Sequence, residues 1–129
     1  MAHANPDHRV ALVVEEDADL RNLASVLIEE TDLDVIACES AEAALSVLER
    51  PDVDVAMVLA DTALAGAMDG VALARTVDAR WPEVRLVVTS KRETDRASEL
   101  PSHAVFLRKP WVPLAVLVQA ERAALEPHA

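Results

Sequence analysis

The stretch from Val53 to Gly70 constrains the fold most. It reads as an apolar strand, Val53–Ala60, that delivers Asp61 at its C-terminal end; a loop of small residues and then Asp69-Gly70, opening a helix, follow. A strand that stays apolar rather than alternating is one covered on both faces, as in a parallel sheet packed by helices. Open sheets of that kind bind ligands outside the carboxyl ends of their strands. Asp61 is therefore the first candidate for a working residue, although an Asp after a strand is by itself more often a turn or cap residue.

The rest of the chain repeats the pattern. Val10–Val14 is a second β-branched run, followed by Glu15-Glu16-Asp17-Ala18-Asp19, four acids in five positions. Acids at a helix N-terminus suit its macrodipole. That accounts for Asp17 and Asp19 better than for Glu15 and Glu16, whose charges crowd at the strand end and call for a cation or a lysine. The helix beyond carries Leu20, Leu23, Leu27 and Ile28 at helical spacing. Leu33–Cys38 reads as a strand, and Ser40 as the N-cap of a helix with Ala41, Ala44, Leu45 and Leu48 on one face. After Gly70 the apolar positions are Leu73, Ala74, Val77 and Trp81, with Trp81 a core anchor. Val84–Val88 is a fourth strand ending in Thr89-Ser90, and Lys91–Glu99 a weakly apolar candidate helix. Ala104–Leu107 is a short fifth strand leading to Arg108-Lys109-Pro110-Trp111, and a last helix carries Leu114, Leu117, Val118 and Leu125.

Five strands alternating with five helices imply right-handed crossovers and an α/β fold, a five-stranded parallel sheet sandwiched between two helical layers. The expected strand order is the flavodoxin-like 2-1-3-4-5, with its switch point between the first and third strands. Glu15, Glu16 and Asp61 then converge on one crevice. Residues 1–8 are expected to form a disordered tail, 9–126 one domain and 127–129 a second short tail.

Twenty-three acids against twelve bases, a formal net charge of −11, oppose contact with a phosphate backbone, so no nucleic-acid binding is expected. No apolar run approaches a membrane span and MAHANPDHR has no apolar core of a leader, which points to a cytoplasmic protein without membrane association. The lone Cys38 reads as a small buried hydrophobe. His3, His8 and His128 lie in the tails and His103 stands alone before a strand, so no zinc cluster is indicated. With only Gly66 and Gly70 in the chain, nucleotide cradling is not expected either.

Hard carboxylate oxygens suit Mg²⁺. With Thr89 and Lys109 approaching the same edge, the strand ends hold the parts for phosphoryl transfer to a carboxylate: a nucleophilic Asp, a metal across the phosphoryl oxygens, and a lysine and a hydroxyl for the remaining charge.

On Val13-Val14-Glu15-Glu16 with Leu20-Arg21, Leu59-Ala60-Asp61, Met68-Asp69-Gly70, Val87-Val88-Thr89-Ser90 and Arg108-Lys109-Pro110-Trp111, the chain resembles the receiver domains of bacterial two-component response regulators, CheY-like and single-domain, from Arg9 to about Leu125. The resemblance implies that Asp61 is the phosphoacceptor and that Glu15, Glu16, Asp61 and the carbonyl of Ala63 hold Mg²⁺. It further implies that Thr89 and Lys109 contact the phosphoryl group, that Lys109–Pro110 is a cis peptide, and that Phe106 and Trp111 lie on the face partners read. The implied donor is a histidine kinase or histidine phosphotransfer protein, and the implied output is contact with a downstream protein by a monomer or weak homodimer. Receivers are signalling modules rather than enzymes, apart from catalysing their own phosphorylation and dephosphorylation.

The sequence departs from the family pattern at three places. Glu16 stands where Asp is usual, Ala65 replaces a proline in a loop one residue longer than the commonest form, and Lys91 occupies a position often held by Gly. These departures keep open a pseudo-receiver, the same fold used as a phosphorylation-independent binding module. A small hydrolase using Asp61 as a turnover nucleophile is the more distant alternative.

Overall fold

The computed structural model describes residues 9–91 and 98–126. In chain order the elements are β1 (Val10–Val14), α1 (Ala18–Glu29), β2 (Asp34–Cys38), α2 (Ala41–Leu48), β3 (Val55–Asp61), α3 (Gly70–Arg80), β4 (Arg85–Ser90), β5 (Val105–Arg108) and α4 (Pro113–Leu125). All pairings are parallel and the sheet order is β2-β1-β3-β4-β5, as the alternation predicts. The expected tails, and most of the candidate helix Lys91–Glu99, lie outside the described residues.

Two apolar cores flank the sheet. Val10, Leu12 and Val14 join α2 and α3 through Ala44, Leu48, Leu73 and Val77. Ala11 and Val13 join α1 and α4 through Ala24, Ile28, Val116, Ala120 and Ala123. Each fully buried Leu, Ile or Met, such as Leu12, Ile28, Met57 and Leu73, stabilises the fold by about 2 kcal/mol.

The helix starts obey local chemistry. Asp17 caps α1 by accepting from the N–H groups of Asp19 and Leu20, Ser40 caps α2 through Ala43, and Asp69 caps α3 through Ala72. At the other end of the sheet the buried Arg9 donates through Nη1 to the carbonyls of Ala123 (3.3 Å) and Glu126 (2.9 Å), tying off the C-terminus of α4.

Three expectations about the elements need correction. Strands three to five each end one or two residues later than their apolar runs suggest, so Asp61, Thr89 and Ser90 belong to the sheet itself. On α1 the inward face is Ala24 and Ile28, while Leu23 is 45% exposed. On α4 it is Val116, Gln119, Ala120 and Ala123, while Leu114 and Leu125, expected to be buried, are 65% and 84% exposed. Small residues, Ala24 on α1 and Ala120 and Ala123 on α4, take the close-packed positions against the sheet together with Ile28 and Val116.

Candidate functional site

A β-bulge sets the phase of the site. Val10 pairs with Val55, but Ala11 pairs with Met57, so Ala56 is the extra residue of β3. Ala56 and Met57 both face the α1–α4 core, and from there Val58 and Ala60 face one side while Leu59 faces the other. A one-residue shift would turn every later side chain to the opposite face. With it, Val14 pairs with Ala60, so Glu15 and Asp61 follow as neighbours at the ends of β1 and β3. Asp61 pairs with Thr89 on its other side, and the Lys109 N–H donates to the Ser90 carbonyl (2.7 Å) just beyond β5.

At this edge one ammonium joins two carboxylates. Lys109 Nζ lies 2.5 Å from Glu15 Oε1 and 2.6 Å from Asp61 Oδ2, and all three residues are 8% exposed. Burial alone would lower the lysine pKa. The hydrogen bonds and charges of Asp61 and Glu15 outweigh it and hold Lys109 above the ordinary lysine value. The remaining oxygens are also engaged: Glu15 Oε2 accepts from Asp17 N–H (3.1 Å) and Asp61 Oδ1 from Ala63 N–H (3.0 Å). The Lys109–Pro110 peptide bond is cis.

Three further residues build this end: Arg21 and Gly70 stand in the quoted motifs without an assigned role, and Glu42 was not singled out at all. Arg21 Nη1 donates to the carbonyls of Glu15 (2.8 Å) and Glu16 (3.3 Å), holding the acidic turn from α1. Gly70 is required by close approach: a Cβ there would stand 1.8 Å from the Asp61 carbonyl oxygen. Glu42 Oε2, from the first turn of α2, accepts from Met68 N–H (3.1 Å) in the β3–α3 loop. Gly70 had a local signal in its position after the capping Asp69, and Arg21 reaches back only five and six residues; the Glu42 contact, 26 residues apart in sequence, had none.

Glu15, Glu16, Asp61, Ala63, Lys91 and Lys109 all border one cleft of about 600 Å³. Thr89 is not on its wall. It is buried behind, where it lines a small void with Glu15, Asp61 and Trp111. Phe106 pairs with Val88 and is half-buried; Val105 and Leu107 beside it pack on the α1–α4 core.

The donor chemistry of Glu15 and Asp61 fits a hard cation, since the two already share one positive charge through oxygen atoms. Glu16 is not turned to that position; its Oε2 accepts from Ala65 N–H. Among the described residues no three His, Cys, Asp or Glu side chains are grouped to hold a metal ion. His103 lies away from the cleft, 3.3 Å from Asp78. Cys38 is buried, which pushes its thiol up to about 11. No helix among the described residues is long and apolar enough to cross a membrane.

Comparison with known proteins gives a consistent assignment. The family model of the response regulator receiver domain matches residues 11–120. A response regulator receiver protein from Sinorhizobium medicae WSM419 superposes with a TM-score of 0.83 at 18% identity, covering 93% of this chain and 97% of that one. The signal receiver domain of an HD domain-containing protein from Pseudomonas fluorescens Pf-5 gives 0.77 at 20% identity, with 92% and 94% covered. NtrX from Brucella abortus, solved in complex with ATP, gives 0.75 at 26% identity over 88% of this chain, which spans 26% of NtrX. No curated protein sequence matches the chain.

Proposed function

The chain belongs to the response regulator receiver domain family, signalling modules of two-component systems rather than classical enzymes, and on that premise we propose that it accepts a phosphoryl group on Asp61 from a phosphohistidine of a histidine kinase or phosphotransfer protein. The observation that carries the proposal is the Lys109 ammonium joining Glu15 and Asp61 at the carboxyl ends of the strands. An Asp61 oxygen attacks phosphorus, the P–N bond breaks, and its electron pair returns to the imidazole nitrogen. Lys109 presents positive charge to Asp61 and to the incoming phosphoryl oxygens, and Thr89, buried behind the cleft, donates its hydroxyl to one of them once it turns toward the site.

Mg²⁺, when bound, supplies charge neutralisation across the phosphoryl oxygens and the carboxylates. Glu15, Asp61 and the Ala63 carbonyl would hold it, and Glu16 would join only on leaving Ala65. The signal then passes by protein contact through the face that carries Phe106 and Trp111, as a population shift of this part of the fold. Incubation with a small phosphodonor and Mg²⁺, followed by intact mass, tests the proposal: wild type gains one phosphoryl group and Asp61→Asn gains none.

A second reading, a pseudo-receiver that binds its partner irrespective of phosphorylation, is favoured by one observation. Every oxygen of Glu15 and Asp61 has a partner inside the chain, and Glu16 is occupied by Ala65. Absence of an adduct with any donor or metal would select it.

A further inference from the structure

The β3–α3 loop, residues 62–69, is gripped at two points by glutamates from two other elements. Glu16, in the turn after β1, accepts from Ala65 N–H, and Glu42, in the first turn of α2, accepts from Met68 N–H at 3.1 Å. Between them Gly66 has φ +103°, and a Cβ there would lie 3.4 Å from Glu42 Oε1, so the glutamate reaches over the turn. Leu64 and Met68 fasten the same loop to the α2–α3 core. The loop also carries Ala63, whose N–H donates to Asp61 Oδ1 at 3.0 Å. Fixing the loop therefore fixes the backbone donor that orients Asp61. Carboxylate acceptors on backbone N–H groups are charge-assisted and stronger than neutral ones.

We propose that Glu42 and Glu16 form a two-point clamp on the β3–α3 loop and that Glu42, which touches none of the reacting groups, is a positioning residue for Asp61. The positioning role rests on the reading of Asp61 as the phosphoacceptor; the clamp does not. In this arrangement Glu16 serves the loop, and its exchange to a cation would release Ala65 while Glu42 kept Met68 in place.

Amide hydrogen exchange on the metal-free full chain separates the two. In Glu42→Ala, exchange at Met68 rises about tenfold, while Glu42→Gln, which keeps an acceptor oxygen, stays near wild type. Glu16→Ala does the same at Ala65, and Leu59 in β3 stays unchanged in every variant. The rate of phosphoryl transfer to Asp61 from a small donor falls in Glu42→Ala and returns in Glu42→Gln. Unchanged exchange at Met68 and Ala65 overturns the clamp, and acceleration that extends to Leu59 reduces Glu42 to a general structural residue. Faster exchange with an unchanged transfer rate overturns the positioning role alone. If wild type takes up no phosphoryl group, the Asp61 reading and the positioning role fail together, while the exchange data still decide the clamp.

Discussion

Lys109 Nζ stands 2.6 Å from Asp61 Oδ2, a buried ion pair between the last residue of β3 and the residue that follows β5, with β4 running between the two strands. The same ammonium serves Glu15 on the far side of Asp61. One cation thus makes it possible for two carboxylates to be buried side by side at the ends of β1 and β3.

Removing that cation leaves two buried charges uncompensated. Lys109→Met is expected to destabilise the fold by about 3 kcal/mol at neutral pH, read from urea denaturation, and adding Asp61→Asn is expected to recover part of the loss. Because Lys109 titrates above its ordinary 10.5 in the fold, its contribution is complete below that pH and is lost as pH rises through the higher folded value. A wild-type stability curve that falls on the alkaline side, with a shallower fall in Lys109→Met, checks the sign.

Gly70→Ala is expected to cost about 3 kcal/mol or more, because its Cβ meets the Asp61 carbonyl, rigid backbone, at 1.8 Å. Gly66→Ala meets only a flexible glutamate end and carries the conformational penalty of φ +103°, about 1 kcal/mol. The order of the two denaturation midpoints tests whether close approach outweighs backbone strain.

Much of this arrangement was legible in the sequence. The alternation of five apolar runs with helices pointed to the parallel sheet and its order, and that order brought the strand-end residues Glu15, Asp61, Thr89 and Lys109 to one edge. What was not legible has identifiable causes. Leu114 and Leu125 drew the apolar face of the last helix the wrong way, because large apolar residues weigh more in a periodicity than Ala120 and Ala123, which occupy the close-packed side. The bulge at Ala56 leaves no local mark, yet it fixes which way Asp61 points. Glu42 looks like an ordinary first-turn acid until the fold lays the loop across it.

Trp111 lines the void behind Glu15, Asp61 and Thr89, whereas Trp81 stacks under Arg80, 4.3 Å from its guanidinium carbon, and lies outside that void. In a Trp81→Phe background, Mg²⁺ titration is expected to change Trp111 fluorescence. The response should vanish in Asp61→Asn and weaken at least about tenfold in apparent affinity in Glu15→Gln.

Burial holds the Cys38 thiol protonated, up to about 11 from 9.0. A thiol reagent at neutral pH is expected to react only as fast as the chain unfolds. The same shift stabilises the fold fully below pH 9 and fades as pH rises toward 11, since unfolding then releases a proton. Labelling in native buffer against labelling in urea distinguishes this from an accessible thiol.

Locating the phosphoryl group tests Asp61 as the acceptor. After treatment with a small phosphodonor and Mg²⁺, borohydride reduces an acyl phosphate to an alcohol at the residue that carried it, and tandem mass spectrometry of the digest identifies that residue. Reduction is expected at Asp61, in the peptide running through Leu59-Ala60-Asp61, and none in Asp61→Asn. Reduction at Glu15 or Glu16 instead, or an unmodified Asp61 under every donor and metal condition, would contradict it.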